Sequence, residues 1–215
     1  MGELEINIDM DLSGVISGYC YSHFSIGRKI LEETGLFLIS GNEHAYLGYR
    51  AAKDSNFFKT GNWIKESCAW IPGEGVFLTR YSPFIEFPNI GEEFHSECKD
   101  FNLNETLIKK ALEDCVKVEN HKILTNEFNK KPETKFLFRE YARDYGNKLR
   151  EIGIYSVSIY VPDSGDIAFA RPLWVSEVHK AARTKEAPFI LEINGCLRTS
   201  EMDFSVRGIN KFNHF

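Results

Sequence analysis

The sequence predicts an α/β protein, a parallel-sheet core with helices on both faces and an inserted α+β cap. Three observations predict it. The first 60 residues alternate strand, helix, strand, helix, the pattern that builds parallel sheets through crossover connections. Residues 83–95 are rich in proline, glycine and acid, and the periodicity changes after them. A helical pattern and an apolar strand then return between Val175 and Ile193. The expected division is a core of residues 1–82 and 172–215, with residues 83–171 as the cap.

Leu4–Ile8 is an apolar run that enters two aspartates, as in a central strand buried on two faces. Ser13–Ser22 contains Gly and Ser and reads as a connection. Ile26, Ile30 and Leu31 share one helical face, and Gly35 stands where a C-terminal cap glycine belongs. Leu36–Ile39 is a short apolar strand ending at Ser40-Gly41-Asn42. Tyr46, Leu47, Arg50 and Ala51 give Glu43–Phe58 its helical spacing. Cys68–Ile71 and Val76–Tyr81 flank the turn signal Pro72-Gly73-Glu74-Gly75 and read as strands.

In the expected cap, Asn104-Glu105-Thr106 opens a helix bearing Leu107, Ile108, Ala111 and Leu112 on one face. Thr134–Phe138, after Pro132, reads as a strand. Glu140–Ile152 is a helix closed by Gly153. Ile154–Val161 and Ile167–Ala170 flank Pro162-Asp163-Ser164-Gly165-Asp166 and read as a hairpin. Val175–Arg183 reads as a helix and Phe189–Ile193 as a buried strand. Gly195–Phe215 shows no strong periodicity.

Composition narrows the functional classes. The 215 residues carry a formal net charge of −5, without the clustered basic surface of a nucleic-acid-binding domain. No run approaches the ~20 apolar residues of a membrane helix, and the acidic opening MGELEINIDMD is unlike a signal peptide. Five scattered cysteines without a C-x-x-C pair suit reduced thiols. The expected location is the cytoplasm.

Asp9 and Asp11 are the foremost chemical candidates. Two carboxylates at a strand end are costly to bury without a partner, and a divalent cation is the usual one. One could attack while the other moves a proton; the alternative is a solvated strand end. Ser40, with the Gly41 amide and Asn42, is placed to receive a phosphate at a helix start, or simply to cap that helix. Asp163 and Asp166 read as turn residues. His95, Glu97, Cys98 and Cys115 lack the ligand spacing of a zinc site. His44, His121, His179 and His214 read as surface or helix-end residues. Trp70, Tyr81, Phe84 and Phe87 read as packing at the core–cap junction.

LEINIDMDLS followed by FLISGN resembles the first two motifs of haloacid-dehalogenase-like phosphatases. WIPGEGVF, residues 84–170 and GCLRTSEMDF are similar to later parts of trehalose-phosphate and mannosyl-phosphoglycerate phosphatases. The resemblance implies Asp9 as nucleophile, Asp11 as acid/base, Ser40 as phosphoryl ligand, and Lys180 offsetting transition-state charge. It implies a magnesium ion near Asp9 and Asp11, and a small phosphorylated sugar or related metabolite as substrate, bound with help from Gly41 and Asn42. The pattern departs at Leu12, where a glycine is expected, and at Cys196 and Leu197, where the metal acids should stand. Glu201 and Asp203 are the acids left to complete the magnesium site. The rival expectation is a non-catalytic binding or regulatory protein that kept the fold and lost the metal site.

Overall fold

The computed structural model describes residues 6–12, 15–22, 24–53, 55–87, 100–161, 165–179, 190–195 and 204–210. In chain order the strands and helices are β1 (Asn7–Leu12), β2 (Val15–Tyr21), α1 (Phe24–Glu33), β3 (Phe37–Leu38), α2 (Gly41–Arg50), β4 (Gly61–Ile71), β5 (Gly75–Thr79) and α3 (Pro83–Glu86). There follow β6 (Phe101–Asn102), α4 (Glu105–Glu113), β7 (Cys115–Lys117), β8 (Lys122–Leu124), α5 (Pro132–Phe138), α6 (Ala142–Glu151), β9 (Ser156–Tyr160), β10 (Phe169–His179), β11 (Ile190–Asn194) and β12 (Phe204–Ile209).

All of these strands join one sheet, ordered β1-β2-β12-β4-β10-β11-β9-β8, with β3 on β12, β5 on β4, β7 on β5 and β6 on β10. Only β11·β9 and β12·β4 pair in parallel among the described strands; the other pairings are antiparallel. This corrects the expected parallel-sheet core. The segment read as a Gly/Ser connection is β2, which turns back on β1 as a hairpin. The apolar run ending at Ile8 is therefore an edge strand, and Ile8 is 60% exposed.

Other corrections have local causes. Thr134–Phe138 is helical because Pro132, lacking a usable N–H, starts α5 at its first position. The expected hairpin around Pro162 does not form: β9 lies between β8 and β11, while β10 pairs with β4, β11 and β6. Val175–His179 continues β10 rather than starting a helix, and Phe204–Ile209 adds a strand where no periodicity was read. The region read as a cap supplies β6 to β9 to the same sheet, and its Leu137, Phe138, Tyr145 and Val157 share a core with Leu47 and Ile64.

The major core lies between one sheet face and α2, α5 and α6, where Leu47, Phe57, Phe128, Phe138, Tyr145, Ile159 and Ile193 are buried. On the other face α1 packs over β2, β12 and β4 through Leu31, Leu36, Trp63 and Val206. Farther along that face α4 packs near Ala69 and Ala170. Gly35 ends the α1 region at φ +77°, a conformation a side chain resists.

Candidate functional site

The candidate site is the part of the second face carried by β8, β9, β11 and β10. Side chains alternate across a strand, so each of these strands sends apolar residues one way and polar ones the other. Ile123, Val157, Ile159, Leu191, Ile193 and Val175 enter the major core. Their neighbours face away, and the register aligns them in rows. Lys122 pairs with Ser158, Ser158 with Glu192, and Glu192 with Ser176. In the next row Tyr160 pairs with Asn194, Asn194 with Trp174, and Trp174 with Trp63. Four strands at the usual spacing make each row about 14 Å wide.

Exposure is graded along the rows. Ser176, Trp174 and Glu192 are buried, Ser158 and Asn194 half-buried, and Lys122 and Tyr160 exposed. Leu124, on β8 beside Lys122, is also exposed. Lys122, Ser158 and Tyr160 keep solvent access on a rigid sheet, so an ammonium, a hydroxyl and a phenol ring can meet a ligand without rearranging; Trp174 is packed with Trp63 in the second core. The signal for this face was present in the sequence as the alternations in KIL, SVSIY and ILEIN.

Of the residues singled out from the sequence, Asp9, Ser40, Gly41 and Asn42 are engaged within the fold. Asp9 accepts a bidentate pair of hydrogen bonds from Arg207, at 2.6 Å from Nη1 and 2.9 Å from Nη2. Arg207 has no exposed side-chain surface. It also donates to Asn62 Oδ1 from Nε and to Ser17 Oγ from Nη1. Its guanidinium lies over the Tyr19 and Phe57 rings, 4.9 and 5.1 Å from their centres. The carboxylate read as a nucleophile is thus committed to neutralising a buried cation. Asp11 pairs through its backbone with Ile16 across a bulged hairpin; its side chain is not among those described.

Ser40 caps α2: its Oγ accepts from the Glu43 N–H, and the Glu43 carboxylate accepts from the Ser40 N–H, a reciprocal capping box. The Gly41 N–H donates to Glu66 Oε2 at 2.8 Å, and Asn42 Nδ2 to Glu140 Oε1 at 3.0 Å. Glu66 is buried, and that burial raises its pKa even though the Gly41 N–H, Arg80 and Lys65 favour the anion. Arg80 donates to Glu66 Oε1 and to the Phe136 carbonyl, tying β4 and β5 to α5. His44, read as a surface residue, is buried, with Nε2 3.2 Å from the Tyr145 hydroxyl. Cys115 is half-buried, and burial pushes its thiol pKa up.

Lys180, Glu201, Asp203, His95, Glu97, Cys98, Asp163 and His214 lie outside the described residues. Among the described residues no three His, Cys, Asp or Glu side chains gather to hold a metal ion. No described helix is long and apolar enough to cross a membrane.

No protein-family model and no curated protein matches the sequence. A solved structure described as "Accommodation of massive sequence variation in Nanoarchaeota by the C-type lectin fold" superimposes with a TM-score of 0.62 at 14% identity. The match covers 96% of this chain and 99% of that one. The chain has the C-type lectin fold. This overturns the phosphatase resemblance, and with it the hydrolase function and the haloacid-dehalogenase-like core.

Proposed function

We propose that this chain is a non-catalytic binding protein that takes its ligand on the β8–β9–β11–β10 face. The observation that carries the reading is the chain-long likeness to a C-type lectin fold. The Asp9–Arg207 pair supports it, since a carboxylate held at both oxygens by a buried guanidinium is a poor nucleophile. The exposed Lys122 and Tyr160 support it further, since a ligand can reach them on a rigid sheet.

The test is a binding screen of the whole chain against immobilised oligosaccharides and linear peptides, beside a phosphate-release assay. Saturable binding lost in Tyr160→Ala, with an unchanged melting temperature, is the expected result. Magnesium-dependent phosphate release that disappears in Asp9→Asn would overturn the reading. So would the absence of saturable binding to every compound on both surfaces.

A further inference from the structure

Strand β8 is where the candidate face meets the edge of the sheet, since the described strand order ends there. Its backbone directions follow from its pairing with β9. The Ile159 N–H donates to the His121 carbonyl and the Thr125 N–H to the Tyr155 carbonyl. In an antiparallel ladder hydrogen-bonded and non-hydrogen-bonded pairs alternate. Lys122 and Leu124, opposite Ser158 and Ser156, are then the non-hydrogen-bonded positions, with N–H and C=O groups aimed outward from the sheet. Both side chains lie on the candidate face and are exposed.

We propose that the β8 edge binds an extended acidic peptide segment of a partner protein as an added strand. This rests on the binding-protein reading and names the occupant of one end of that face. The outward amides and carbonyls of Lys122 and Leu124 supply the ladder. Lys122 supplies the charge: it is exposed, and its row neighbour Ser158 is uncharged, while the row's carboxylate, Glu192, is buried two strands away. Side chains on an added strand alternate, so an acid beside Lys122 places a residue two positions away beside Leu124. The preferred segment therefore has Asp or Glu and an apolar residue separated by one position. Leu124, itself exposed, gives the apolar residue an aliphatic surface. A second copy pairing through the same edge would bring two Lys122 ammonium groups onto one three-residue ladder, which disfavours self-association there.

The experiment selects binders to the whole chain from a displayed library of random linear peptides of about ten residues, the upper length of a common strand. Selected peptides are then titrated by fluorescence anisotropy. Enrichment of the acid–x–apolar pattern is expected. Affinity should fall about tenfold in Lys122→Glu, where attraction becomes repulsion, and recover when the peptide acid is exchanged for lysine. N-methylation of alternate peptide amides should abolish binding, because it removes ladder donors. Tyr49→Ser, on the helical side of the molecule, is the control and should change nothing. Acid-poor peptides, or binding that Lys122→Glu and N-methylation leave unmoved, would overturn the proposal. Peptide failure with Tyr160-dependent binding of an oligosaccharide overturns this inference and leaves the binding-protein reading standing. Failure of both classes of compound overturns both.

Discussion

Replacing Asp9 with alanine tests how the first strand is held. Arg207 is fully buried and Asp9 nearly so, with 11% of its side chain exposed. Removing the carboxylate leaves the Asn62 and Ser17 oxygens and two ring faces around a guanidinium that has lost its counter-charge. Breaking a buried pair on one side costs about 3–5 kcal/mol. For a chain of this size each kcal/mol moves the melting temperature by ~2–4 °C, so a fall of about 6–20 °C is expected by circular dichroism. Asp9→Asn keeps the shape but not the charge and should fall between. The double variant Asp9→Ala, Arg207→Met removes the orphaned cation and should be more stable than Asp9→Ala alone. Formate or acetate should partly restore the melting temperature of Asp9→Ala and leave the parent unchanged. A loss within about 0.5 kcal/mol, the range of an ordinary surface substitution, would refute the reasoning.

Three further outcomes follow from the same structure. Gly146→Ala lies within α6, where alanine is usually the better residue by ~0.5–1 kcal/mol; here the added Cβ would fall on the Thr125 carbonyl oxygen, and a net loss of about 1–3 kcal/mol is expected by denaturant titration. Ser40→Ala should cost about 1 kcal/mol by removing the α2 cap, and ligand affinity should be unaffected. Burial alone would raise the Glu133 pKa, but bonds from Asn120 and the Glu119 N–H outweigh it, and the net shift is downward. A depressed folded pKa contributes stability above the unfolded value of about 4.3 that is lost as pH falls through the folded value. The melting temperature of Glu133→Gln should therefore fall less steeply below about pH 4 than that of the parent.

Local structure was legible where short-range chemistry decides it. Asn104 caps α4, accepting from the Leu107 N–H, and Pro72–Glu74 turns β4 into β5, both as read from the sequence. The topology was not legible, because pairing in a sheet is settled between residues far apart. Leu4–Ile8 reads equally as a buried central strand or as an edge, and only its neighbour, β2, decides. Phe136-Leu137-Phe138 is a short apolar run that periodicity cannot assign to helix or strand. At the candidate site the alternations of β9 and β11 are plain in the letters. That Lys122, Ser158 and Glu192 form one row is a matter of register, and no local pattern contains it. Asp9 misled for a related reason: its partner lies 198 positions along the chain.

The position of β12 has a consequence for how the protein is made. This strand follows β11 in the chain, yet it sits between β2 and β4, with β3 also paired to it. Until it is synthesised, two long strands expose unpaired edges, and Asp9 has no cation to meet. A ribosome-bound chain lacking these residues thus holds an open seam through the middle of its sheet, the kind of surface that chaperones cover and that aggregates form on. Closure requires contacts of long sequence separation, as the 198 positions between Asp9 and Arg207 show, which favours slow folding. Chains that include Phe204–Ile209 should refold far more readily than chains interrupted before Phe204.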